Sequence, residues 1–486
     1  MVDEREQGRE AYRRRAWDAA YQSLSLADLA APLGAEDLER LATSAYLTGR
    51  DADFHRIADR AHHAHLQAGS PERAARSAFW LGLGLLLRGE SAQASGWLAR
   101  ARRLIEGREC VEQGYLLLPV AEQALARGEG EAARASAASA VEIGTRFADA
   151  DLVACARHVQ GRALMQSGQV QPGLALLDEA MLAVVAGELS PIITGLIYCS
   201  VIEACQQVYA SSRAREWTSA LDRWCGQQPE MVAFTGACLV NRAEILQLHG
   251  AWPEAMEEAS RARERFSRGG EREPPAAALY RQAEVHRLRG EFSAAEEAYR
   301  KASRSGWEPQ PGLALLRMAE GRIAAAAAAM RRVVGAATDR MHRARLLPAH
   351  VEIMLAGGDV EEAQHACREL EEIAELFDTD VLRALAGHAR GAVELAGGDA
   401  RAALGALRPA FERWRQVEAP YEAARARMLM GLACRALGDD EASSLDLDAP
   451  SRSNSALAAS RSSALASSSP SARHASPISM RTRAAS

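Results

Sequence analysis

Five side chains with metal-ligand chemistry crowd one short stretch: His55, Asp59, His62, His63 and His65. Imidazoles and a carboxylate spaced i,i+3 and i,i+4 share a helix face, and such a set can clamp a transition metal. Four ligands on one face close poorly into a tetrahedron without a second segment, so the expectation is a solvated polar face and no metal. A second cluster, Arg13, Arg14 and Arg15 with Arg5 and Arg9, could touch nucleic acid or a partner. Asp3, Glu4, Glu6, Glu10 and Asp18 interleave with it, which predicts a salt-bridged outer face instead. The acid pairs Glu257/Glu258 and Glu371/Glu372 lie in charged helical stretches, as solvated partners of arginines. H-E-x-x-H, G-x-S-x-G and G-x-G-x-x-G are all absent. Nothing places a nucleophile, a base and an oxyanion site together, so the chain is expected to be no enzyme and to carry no cofactor.

The elements that must position these residues are written in small side chains. Glycines recur at Gly49, Gly89, Gly128, Gly168, Gly250, Gly290, Gly321, Gly358, Gly398 and Gly438, mostly close to 40 residues apart. The interval from Gly168 to Gly250 is 82, two steps with one glycine missing near Tyr209, and the step from Gly290 to Gly321 is only 31. Seven residues before nine of these ten glycines stands Ala or Gly, Val351 being the exception. Five residues after nine of them stands a small residue, with Phe54 the exception. Small side chains let two antiparallel helices approach closely, with the glycine at the turn between them. Each pair leaves an apolar face that only its neighbours cover. A fixed period of this length predicts stacked helical repeats.

The pattern resembles the tetratricopeptide repeat. Its best copy runs from Leu279 to Pro309, with Leu279, Ala283, Gly290, Phe292, Ala295, Tyr299 and Ala302 at the family's offsets. The period exceeds the family's usual 34 residues, which implies longer helices or loops. Trp17, Ala20, Leu24 and Ala27 fit an earlier second helix. The fold class expected is therefore all-α, a tetratricopeptide-like α-solenoid of about 11–12 helix pairs over residues 1–445.

Composition agrees. Ala, Leu, Arg and Glu dominate the 486 residues, aromatic content is 5%, and no alternating Val/Ile/Thr run argues for a sheet. The net charge of −6 gives no general basic signal for nucleic acid. No apolar stretch is long enough to span a bilayer, and the charged N-terminus is unlike a secretory leader. Eight cysteines without C-x-x-C spacing read as buried free thiols, so a cytoplasmic location is expected. From Ser443 onward the composition breaks, with 15 serines in 44 residues. Residues 446–486 are expected to be a disordered Ser/Ala/Arg-rich tail, produced by an out-of-frame reading of a GC-rich gene. Its arginines, Arg452, Arg461, Arg473, Arg481 and Arg483, could give at most a weak, salt-sensitive attraction to nucleic acid.

Two segments resemble actinobacterial LuxR-type transcriptional regulators. One is Arg215–Ala255, REWTSALDRWCGQQPEMVAFTGACLVNRAEILQLHGAWPEA; the other is the opening, GREAYRRRAWDAAYQSLSLADLAAPLGAEDLERLATSAYLTGRD. The resemblance covers about 1–445 and implies a sensor or interaction arm that precedes a C-terminal helix-turn-helix domain. The chain shows no such domain after the repeats. It also has no G-x-x-x-x-G-K-[ST], because its one lysine, Lys301, stands in the context Tyr299-Arg300-Lys301-Ala302. The partner implied is a protein, a peptide or a small effector. DNA becomes a partner only with a reader domain restored, and no membrane partner is expected. Alternatives are a DNA-binding regulator whose reader domain is lost or truncated, and a general protein-interaction scaffold. In tetratricopeptide arrays the first helix of each pair lines the concave face. By offset, His158, Arg162, Glu244, Gln247, Tyr280, Glu284 and Arg287 are the candidate groove residues.

Overall fold

The computed structural model describes residues 3–228, 230–268 and 276–439. The described residues form helices and connecting turns, with no strand among them. The first four pairs are α1 (Glu4–Arg13) with α2 (Trp17–Ala30), α3 (Ala35–Leu47) with α4 (Asp51–Gln67), α5 (Pro71–Leu87) with α6 (Ser91–Leu104), and α7 (Glu112–Ala126) with α8 (Gly130–Arg146). The next four are α9 (Ala150–Gln166) with α10 (Val170–Ala186), α11 (Pro191–Gln207) with α12 (Ser211–Gly226), α13 (Thr235–Leu248) with α14 (Trp252–Arg268), and α15 (Ala276–Leu288) with α16 (Phe292–Arg304). Then come α17 (Gly312–Ala319) with α18 (Ile323–Ala336), α19 (Arg340–Ala356) with α20 (Val360–Phe377), and α21 (Asp380–Ala396) with α22 (Ala400–Gln416). α23 (Pro420–Ala436), counted below as the twelfth repeat, is the last described helix. The chain is an all-α, tetratricopeptide-like solenoid.

The turn inside each pair has one chemistry. At Gly168 the backbone is left-handed, φ +88. Its N–H donates to the Met165 carbonyl and the Gln169 N–H to that of Leu164, the Schellman closure of a helix end. The missing glycine near Tyr209 is Tyr209 itself, held at φ +59, with the same two bonds to Gln206 and Cys205. Arg15, at φ +60, does this for the first pair, so the twelve turns begin 34 residues before Gly49.

The small residues sit where the helices touch. Gly161, seven before the turn, and Gly173, five after it, face each other. A Cβ on Gly161 would stand 2.8 Å from the Gly173 carbonyl. Ala133, Ala255, Ala295, Ala326, Ala363 and Ala403 at the second position are all fully buried. The long period comes from the helices: α8, α9, α10 and α11 have 17 residues each, about 25 Å. The short step to Gly321 comes from α17, which has only 8 residues.

The solenoid winds until its turns meet. Trp17 of the first pair donates its indole N–H to Gln228 Oε1, at 2.9 Å, just after the sixth pair. The Leu47 carbonyl accepts from Val232 and Ala233 at 2.9 and 3.1 Å. Leu376 at the end of the tenth pair lies over Gly168 of the fifth. Arg215 of the sixth pairs with Glu418 after the eleventh, and Trp252 of the seventh meets Tyr421 of the twelfth, ring centres 5.8 Å apart. Each contact joins repeats five pairs apart, so about five pairs complete one superhelical turn. A single apolar core accordingly contains residues 154–238 and 314–393 together. α11 is buried on nearly every side, as a helix apolar all round should be.

Candidate binding groove

Every candidate groove residue lies on the first helix of its pair: His158 and Arg162 on α9, Glu244 and Gln247 on α13, Tyr280, Glu284 and Arg287 on α15. The structure gathers the last five. Glu284 receives an ion pair from Arg287 at 2.7 Å and accepts a hydrogen bond from the Tyr299 hydroxyl. Tyr280 packs its ring edge on Tyr299, centres 5.6 Å apart. Glu244 of α13 pairs with Arg281 of α15 at 2.8 Å, which ties the two helices together. His158 and Arg162 stand apart. Arg162 pairs with Glu122 of α7 at 2.6 Å, and His158 is 5% exposed within the core.

Further charged side chains pair on first helices of later repeats. Arg425 of α23 pairs with Glu352 of α19 at 2.6 Å and with Glu422 at 3.0 Å. His388 of α21 feels the Arg425 charge, Tyr421 lies close enough to influence Arg287, and Arg345 of α19 joins Glu244 and Arg281 around Tyr209. Ion pairs thus link α13 to α15 and α19 to α23 along the first helices of their pairs.

Burial decides their electrostatics. Burial alone would raise the Glu284 carboxyl, but the Arg287 charge and the hydrogen bonds from Arg287 and Tyr299 outweigh it and hold it below the usual carboxylate range. Burial pushes His388 down to about 3, with Arg425 adding to it, and lowers His158, with Arg162 adding to it. Both imidazoles are neutral at pH 7. Tyr209 is pushed up to about 12 by burial. Gln247 Oε1, Trp252 Nε1, Arg287 Nε and His388 Nδ1 are buried and make no hydrogen bond within the protein. A buried ion pair left with spare donors and acceptors can recognise a polar, charge-balanced group, because each unsatisfied group gains a bond on binding.

Arg281, Tyr299, Glu352, His388 and Arg425 are the members missing from the sequence-derived set. The candidates lie 10, 6 and 3 residues before their turn glycines. The same offsets from Gly358 and Gly398 give Glu352 and His388, so these two were within reach. Arg425 stands 13 before Gly438 and carries no such signal.

The other clusters fall apart or pair off. His62 Nδ1 bonds the Ala74 carbonyl at 2.8 Å inside the core, His65 bonds Glu39 at 2.7 Å, and His63 turns outward to Asp59. No three potential metal ligands converge among the described residues. Arg13 pairs with Glu6 and Glu10, and Arg9 with Asp37, which makes the first helix a salt-bridged face. Two clefts of about 350 and 240 Å³ lie near Arg157 and near His350. No described helix is long and apolar enough to cross a membrane. The tail arginines lie outside the described residues.

No family profile matches the chain. No curated protein matches it either. Among solved structures, it is similar to the APC/C hetero-tetramer Cut9–Hcn1, at 11% identity over 91% of this chain and 94% of that one, TM-score 0.37. It is also similar to yeast Tom70, at 11% identity over 95% and 94%, TM-score 0.34.

Proposed function

We propose that the chain is the non-catalytic regulatory arm of a LuxR-type transcriptional regulator, working in the cytoplasm. It binds a protein, a peptide or a small effector on its inner face. The observation that carries this reading is the set of half-buried ion pairs along the first helices, Glu284 with Arg287, Glu244 with Arg281 and Arg425 with Glu352, with spare polar atoms on Gln247, Arg287 and His388. The solenoid occupies residues 1–445, and 446–486 is an out-of-frame tail. In an intact relative, a ligand that binds one curvature better than another shifts the population between them and so moves the reader domain. Resemblance of the opening and of Arg215–Ala255 to such regulators supports the setting.

Transcript profiling of a strain that lacks the gene tests this. A confined set of operons should change, and wild-type protein should restore them. A Gln247→Leu variant of unchanged thermal stability should not. Unchanged transcripts, or full rescue by that variant, would contradict the proposal.

A further inference from the structure

Helices α18, α19 and α20 wall the cleft of about 240 Å³. At one end Arg331 of α18 reaches two carboxylates, Glu362 at 2.6 Å and Asp359 at 2.8 Å. His350 of α19 lies 3.0 Å from the other oxygen of the same Glu362. At the other end Arg343 of α19 holds Glu369 of α20 through two nitrogens, one of them at 2.7 Å. Its third nitrogen donates to the Val334 and Ala337 carbonyls at 2.6 and 2.9 Å. Glu362 and Glu369 are seven residues apart, about 10.5 Å along the helix. Between these ends the lining is Leu347 and Ala366, both buried.

The two ends differ in charge. Arg343 and Glu369 cancel. Asp359 and Glu362 share one guanidinium, which leaves one negative charge over. His350 does not offset it, because burial holds that imidazole below its usual range and it is neutral at pH 7. Its Nε2–H donates to Glu362, and its Nδ1 is buried with no partner in the protein. Glu362 lines the cleft with its side chain 29% exposed, so a ligand can reach it.

We infer that this cleft binds a small aliphatic monoamine, its ammonium on Glu362 and Asp359 and its hydrocarbon chain along Leu347 and Ala366. The ammonium supplies the one positive charge that end wants, with three N–H donors for carboxylate oxygens. A carboxylate in its place would face two acids. A second ammonium at the far end would meet Arg343, whose pair with Glu369 is already closed. The cleft is smaller than the about 300–1,000 Å³ of drug-sized sites, which suits a molecule of a few carbons. Its walls include the second helices α18 and α20, and its occupancy does not depend on the regulatory role proposed above.

Isothermal titration calorimetry of n-pentylamine into the full chain tests this. One saturable site is expected, with pentanoate silent and the diamine cadaverine weaker than n-pentylamine. Glu362→Gln should weaken binding by about tenfold or more. Gly335 lines the cleft, and a Cβ there would meet no atom within 4 Å. Gly335→Leu should therefore melt no lower than wild type and yet block the site. The ligand series and Gly335→Leu decide the matter if Glu362→Gln does not fold. No saturable binding at millimolar amine, equal binding of pentanoate, tighter binding of cadaverine, or full binding by Gly335→Leu would overturn the inference.

Discussion

The two seams where superhelical turns meet are built differently. The first holds pairs 1 and 2 against the loop after pair 6 with a buried indole, a side-chain bond to Gln228 and two backbone bonds to the Leu47 carbonyl. The second holds pairs 5 to 7 against pairs 10 to 12 mainly by apolar contact. Leu376 lies over Gly168, Pro420 approaches Gly250, and Tyr421 meets Trp252. At the second seam the repeat's turn glycine serves twice: it closes the helix, and having no side chain it admits the next superhelical turn. At the first seam the described contacts come from the connection between α12 and α13, through Gln228, Val232, Ala233 and Phe234.

Breaking the first seam should cost most. Trp17 is 1% exposed, and Trp17→Ala should lower unfolding free energy by about 3–5 kcal/mol in guanidinium melts. A loss under about 1 kcal/mol would mean that the indole is not clamped.

Acid should loosen the second seam's side of the molecule. His388 has its folded pKa lowered to about 3. The unfolded chain therefore takes the proton first. The contribution of His388 is whole above about 6.5 and declines as pH falls toward 3, by about 2 kcal/mol between pH 6.5 and 5. Unfolding followed across that range checks it: the slope should flatten in His388→Gln.

Gly168→Ala against Gly290→Ala sharpens the comparison. Both backbones are left-handed, φ +88 and +76, but only at Gly168 would a Cβ meet a neighbour, Leu376 at 2.6 Å. The first change should cost about 2–3 kcal/mol and the second about 1. Adding Leu376→Ala should recover part of the difference, measured as a double-mutant cycle. Arg215→Ala should matter least, under about 1 kcal/mol, because its pair with Glu418 is exposed and screened by salt.

Repeat identity was legible because it is local. Gly161 and Gly173 announce a helix–helix contact through size alone, and the 82-residue interval foretold a turn at Tyr209. The winding was not legible. Contacts such as Trp17 with Gln228 join residues 211 apart, and nothing in a 40-residue period encodes how far each pair rotates on the last. The ion-paired face of the first helices was half legible for the same reason. Glu244, Tyr280 and Glu284 belong to neighbouring pairs and were found by offset. Arg425 pairs with Glu352 two repeats away from a position off the offset rule, and His158 follows the rule yet ends in the core.

Hydrogen exchange at the Val232 and Ala233 amides tests closure most directly, since both donate to the Leu47 carbonyl across the seam. The expected result is strong protection in the intact chain, lost at both amides in Trp17→Ala while the α11 amides stay protected. Exchange at the rate of a solvent-exposed loop in the unmodified protein would contradict a superhelix whose turns touch.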